Sequence, residues 1–212
     1  MVAEAYRYIT ENRERFGEAV QTHVTISLYA LLIAAAICIP LGVLCAKYSR
    51  LTAPVMGLFN SLRVIPSLAV LVILLPILGT GFTPALAALT LLACPPILIN
   101  TYLGFRKVEP SVREAASAMG MGAGRLLRRV ELPLAAPLMI SGLKTAAVEV
   151  VASATLAAFI GGGGLGTFII NGLGLYNFPM LLVGALPVAA LAVLMELVLS
   201  GLERYASKFQ RI

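Results

Sequence analysis

Long apolar runs, interrupted once by a charged interval, set the plan of this chain. From Val24 to Ala46 the sequence is apolar for long enough to cross a hydrocarbon core, which takes ~20 helical residues. The stretch Leu51 to Leu78 exceeds one straight span and divides into an interfacial helix ending near Arg63 and a span over 64–78, with Pro66 close to its start. Further runs cover about 83–103, 134–159 and 178–201. The pattern predicts an all-α membrane protein with five transmembrane helices in a single domain. Pro40 and Gly42 are expected to bend the far end of the first span. In the third, Pro95 and Pro96 remove two backbone donors, so the helix is expected to break or kink. A membrane tolerates such a break where protein or a water-filled cavity satisfies the freed carbonyls. That makes Pro95, Pro96 and nearby Asn100 candidate path-lining residues; a kink used only for packing is the other reading.

The charged interval runs from Glu109 to Pro133, within the loop 104–133. Val112, Ala115, Ala116 and Met119 recur at helical spacing while Arg113, Glu114 and Ser117 point away, which predicts an amphipathic helix. Pro110 suits its first turn and Gly120 its end. After the turn Gly120 to Gly124, a second short helix carries Leu126, Leu127 and Val130 on one side and Arg125, Arg128 and Arg129 on the other, with Pro133 expected to stop it. Taken alone, such a basic amphipathic segment also suits a helix lying on a membrane surface.

Composition agrees with a membrane protein: of 212 residues 59% are hydrophobic and 12% charged. A net charge of +6 would suggest nucleic acid in a soluble chain, but here the charges flank apolar spans and serve to orient them; no nucleic-acid partner is expected. Lys47, Arg50, Arg106, Lys107, Arg113, Arg125, Arg128, Arg129, Arg204, Lys208 and Arg211 fall on one side of a five-span chain, and the two opposite loops have neither Lys nor Arg. The positive-inside rule then puts the N-terminus outside and the C-terminus and charged interval in the cytoplasm. Cys38, Cys45 and Cys94 sit in apolar runs without ligand spacing, so neither disulfide nor metal site is expected. The N-terminus lacks the order of a signal peptide, residues 1–22 read as a surface helix or a partly frayed terminus, and His23 reads as a polar anchor at the interface rather than a proton relay.

Glu114-Ala115-Ala116, three residues, Gly120, nine residues, Val130, one residue, and Leu132-Pro133 resemble the EAA loop of ABC importer permeases, with Val130 in place of the usual Ile. The resemblance implies a type I ABC importer permease fold in a bacterial or archaeal cell (inner) membrane. It further implies that Arg113, Glu114, Ala115, Ala116, Gly120, Val130, Leu132 and Pro133 belong to a cytoplasmic coupling helix docked on an ATPase subunit. The expected partners are a second permease, identical or not, two ABC ATPases, an extracytoplasmic substrate-binding protein and membrane lipid. No cofactor is expected in this chain, and ATP and Mg would be bound by the partner ATPase; no catalytic constellation is present, so the chain is expected not to be an enzyme.

Most of the chain, roughly Thr22 to Ser207, is similar to the osmoprotectant branch of these permeases, which import glycine betaine, carnitine or choline. The segments that carry the likeness are Ile39 to Gly42, Ile65 to Ala69, Asn100 to Tyr102, Val130 to Pro133, and Ala154 to Gly161 with the glycines after it. Gly161, Gly162, Gly163, Gly164 and Gly166 form an outer glycine loop that permits close backbone approach or positive φ. It lacks the Lys-Ser/Thr ending of a P-loop, and no strand precedes it. Glu149 departs from the expected apolar residue in the fourth span, where a carboxylate costs ~2.5–3.5 kcal/mol and has to face protein or water. It either lines the path and attracts a cationic head group or bonds a neighbouring helix. Methionine-type permeases share the size and plan, and an ion-coupled secondary transporter is a further alternative.

Overall fold

The computed structural model describes residues 1–208, and all regular structure among them is helical. Ten α-helices follow in order: α1 (Val2–Glu11), α2 (Arg13–Lys47), α3 (Ser49–Leu62), α4 (Ser67–Leu78), α5 (Phe82–Arg106), α6 (Pro110–Ala118), α7 (Ala123–Leu126), α8 (Leu132–Ser153), α9 (Gly166–Gly174) and α10 (Phe178–Ser207). A π-helical turn, Leu127–Glu131, joins α7 to α8, and a 3-10 turn, Leu156–Ile160, follows α8. Among the described residues four continuous helices are long and apolar enough to cross a membrane: α2, α5, the run Ala123–Ser153, and α10. The pair α3 and α4 qualifies only together and is bent by 97°. Counted as one broken span, it makes the fifth.

Helix α5 occupies the middle, packed against α2 on one side and α8 on the other, and α10 lies beyond α8. Its composition explains the position. Ala85, Ala88 and Ala93 admit neighbouring backbones closely, while Leu89, Ile97 and Leu98 fill the space between them; all six are shut off from solvent. The contact of α5 with α8 is close at Gly142, where a Cβ would stand 2.6 Å from Asn100 Cβ and 2.7 Å from the Pro96 carbonyl oxygen. Midway along α8, Lys144 pins it to α10 through Glu203 at 2.8 Å and Glu196 at 3.5 Å.

Several expectations change. Helix α5 runs unbroken through Pro95 and Pro96. Pro133 does not stop its helix either. The π turn sets Leu132 N–H on Leu127 O, and this wider turn accommodates the bond Pro133 cannot donate, so the rod continues into the membrane segment. The expected second span starts three residues later, at Ser67, and α4 alone, ~18 Å long at 1.5 Å per residue, cannot cross a ~30 Å core. The fourth helix ends at Ser153 rather than near 159, and the last reaches Ser207 rather than 201. Residues 1–22 are not a free surface helix: α1 packs on α10, Tyr8 stands edge-on to Phe168, and Arg15 lies over the same ring. Arg211 lies outside the described residues.

His23 is fully buried, not an interfacial anchor. Its place follows from the unwinding of α8. Thr155 N–H turns to Ala152 O, so Val151 O lacks its usual intrahelical donor, and His23 Nε2 lies 3.1 Å from it. Gly164, at φ +79°, packs over the imidazole, where a Cβ would stand 3.2 Å from Nδ1.

Candidate functional site: a braced surface helix and a charged cavity

Helix α6 is closed at both ends by local chemistry. Glu109 is its N-cap residue, and Pro110 fills the first helical position, where a missing N–H costs nothing. At the other end Gly120 takes φ +83°, its N–H reaches Ser117 O, and Met121 N–H reaches Ala116 O. This paired arrangement is a Schellman motif, and the left-handed residue in it favours glycine.

The face that α6 turns inward differs from the expected one. Of the apolar stripe only Ala116 is buried; Val112, Ala115 and Met119 are exposed, Met119 by 72%. Arg113 instead turns inward. Its guanidinium donates to Phe105 O at the end of α5, and Nε lies 2.9 Å from Glu131 Oε1, off the N–H axis, so that contact is an ion pair rather than an aligned hydrogen bond. The reason is Glu131, 6% exposed at the base of α8, whose charge requires compensation. Lys47, the last residue of α2, stands 3.8 Å from its other oxygen. One buried carboxylate thereby gathers the end of α2, the start of α8 and the exposed helix α6. Sequence reasoning assigned Glu131 no such role, although an acidic residue between Val130 and Leu132 in an apolar context is the signal that marks it. Glu114, Leu132 and the basic residues Arg125, Arg128 and Arg129 are exposed around the same surface.

A second feature lies at the break between α3 and α4. A cavity of about 230 Å³ is lined by Arg63, Pro66, Ser67, Pro95, Glu149 and Ser153, among others. Three of the candidate path residues, Pro66, Pro95 and Glu149, therefore share one space. The other two do not. Pro96 is buried, and Asn100 folds its amide back on Pro96 O at 2.9 Å, both beside Gly142 in the α5–α8 contact. None of the glycines lines the cavity; their loop joins the 3-10 turn after α8 to α9, Gly161, Gly163 and Gly164 have positive φ, and Gly162 and Gly166 sit hard against neighbouring backbone. Gly81 N–H, from the α4–α5 turn, bonds Ile160 O at 2.7 Å and fastens that end of the bundle.

Comparison with known proteins agrees with this architecture. Residues 38–210 match the family model described as binding-protein-dependent transport system inner membrane component. The choline transport system permease protein OpuBB of Bacillus subtilis (strain 168) is 41% identical over 86% of this chain and 84% of that protein. The carnitine transport permease protein OpuCB of Listeria monocytogenes is 42% identical over 92% of this chain and 90% of that protein. Among solved structures, an inward-facing form of the MetNI methionine ABC transporter superposes with a TM-score of 0.82 at 22% identity, over 90% of this chain and 95% of that one, which establishes the type I importer permease fold. By sequence and fold together, this chain belongs to the binding-protein-dependent transport system inner membrane components, the permease subunits of ABC importers.

Proposed function

We propose that this chain forms half of the translocation path of an ATP-driven importer for a small osmoprotectant such as glycine betaine, carnitine or choline. The observation that carries the reading is helix α6: apart from Ala116 its apolar face is uncovered among the described residues, yet its position is fixed from below by Arg113 and Glu131. An apolar face on a braced helix transmits force well, because a push on it moves the inner ends of α2 and α8 together. In this reading α6 docks into an ABC ATPase, which binds ATP and Mg, and two such ATPases serve a pair of permeases. An extracytoplasmic binding protein delivers the solute to the outer face. The N-terminus is outside, and the C-terminus and α6 are cytoplasmic. Closure of the ATPases then favours the outward-open state through contacts that differ between the two states.

The substrate assignment rests on the curated relatives, whose names specify choline, carnitine or glycine betaine. The methionine reading has weaker support, since the methionine transporter shares the fold at 22% identity. A paired permease is supported by relatives with two differently named members, OpuCB and OpuCD, in one organism. The test is reconstitution of the assembled importer in proteoliposomes. Uptake of labelled glycine betaine, carnitine or choline that needs ATP and the binding protein, and ignores an imposed ion gradient, supports the proposal; uptake driven by the gradient without ATP contradicts it.

A further inference from the structure

Four groups of different character border the cavity at the α3–α4 break. Arg63 ends α3, and Glu149 projects from α8; no hydrogen bond or ion pair joins the two side chains, although they border the same space. Helix α4, twelve residues long, begins at Ser67 without a side-chain cap. Its first intrahelical bond is donated by Val70, which leaves the N–H groups of Ser67, Leu68 and Ala69 without helical acceptors, and Ser67 lines the cavity. Ser153, 8% exposed, lines the wall with no hydrogen-bond partner for its hydroxyl among the described residues. A hydroxyl without a partner, beside two exposed opposite charges that neither a hydrogen bond nor an ion pair joins, is an arrangement that a polar ligand completes.

The charges have an order. On the α4 side, Arg63 and the free N–H groups attract an anion. On the α8 side, Glu149 attracts a cation. We infer that the cavity is a dipolar way-station inside the membrane, taking a small zwitterion with its carboxylate toward Arg63 and the start of α4 and its ammonium toward Glu149. A volume of about 230 Å³ lies below the 300–1,000 Å³ usual for drug-sized ligands and suits a small solute. The inference rests on the importer reading and adds to it that this chain itself discriminates by charge distribution, favouring a zwitterion over a plain cation or a plain anion.

The experiment uses the assembled importer in nanodiscs, with Val64→Cys as reporter, because Val64 lines the cavity and is 82% exposed. The rate of its modification by a small neutral thiol reagent is measured with and without a large excess of glycine betaine, choline or acetate. Native Cys38, Cys45 and Cys94 are buried and provide the background. Glycine betaine is expected to slow labelling roughly fivefold, with choline and acetate clearly weaker. Arg63→Gln and Glu149→Gln should each remove the preference for glycine betaine, whereas Arg63→Lys should retain part of it. Equal protection by all three solutes, unchanged protection in both neutral variants, or no labelling of Val64→Cys at all overturns the inference. Ser153→Cys is a second reporter of the same space. ATP-dependent uptake by the unmodified importer is measured alongside, so a failed way-station is separated from a failed importer assignment.

Discussion

Arg113 Nε lies 2.9 Å from Glu131 Oε1, and this contact joins the exposed helix α6 to the root of α8. Lys47 contributes less to the same carboxylate, at 3.8 Å and with its side chain 38% exposed. The asymmetry gives a ranking. Glu131→Gln keeps shape and polarity but leaves two cations uncompensated, and it should cost about 1–3 kcal/mol of stability. Lys47→Ala should cost under ~1 kcal/mol, as exposed pairs do. In a reconstituted importer, Glu131→Gln should retain basal ATP hydrolysis while solute moved per ATP falls. An unchanged transport-to-hydrolysis ratio removes Glu131 from the coupling account.

Met119 on the apolar stripe of α6 is 72% exposed, so a charge placed there should not unfold the chain. Met119→Glu is expected to leave the thermal midpoint of the isolated permease within a few degrees, a change of under ~0.5 kcal/mol. It should abolish co-purification of the ATPase. Retained co-purification would mean that the ATPase docks elsewhere.

At the α5–α8 crossing, Gly142→Ala forces a methyl group against Asn100 and the Pro96 carbonyl, and overpacking of this kind costs about 1–3 kcal/mol. Gly201→Ala, with nothing within 4 Å of its Cβ, is the control and should be neutral or slightly stabilising. Thermal unfolding in detergent separates the two.

His23 holds the carbonyl that α8 releases where it unwinds. His23→Ala leaves Val151 O buried without a donor, at a cost of about 1–3 kcal/mol. His23→Gln, whose amide supplies an N–H at similar reach, should recover part of that loss. If Ala and Gln unfold together, the imidazole serves packing alone.

Much of this architecture was legible in the chain because apolar length and Pro-Gly punctuation are local signals. The amphipathic spacing from Val112 to Met119 located a helix, and Gly120 marked its end through the left-handed conformation it takes. What escaped was long-range. Periodicity assigned Arg113 to the solvent face because nothing nearby in sequence announces a buried carboxylate eighteen residues on. Pro133 reads as a stop unless a π turn precedes it, and no residue pattern forecast that turn. His23 looked interfacial because its partner is a backbone carbonyl 128 positions away. Glu149 could be flagged as unusual, but that Arg63, Pro66 and Pro95 border the same cavity is a property of the fold.

The central claim is that α6 receives the work of nucleotide hydrolysis from the cytoplasmic side. It is tested most directly by site-specific cross-linking from Met119→Cys in membranes carrying the whole importer. The account predicts a cross-link to the ATPase subunit whose yield changes with ATP, and thiol labelling at that position in inside-out vesicles but not in intact cells. Labelling from the outside of intact cells, or a cross-link that never includes the ATPase, would contradict it.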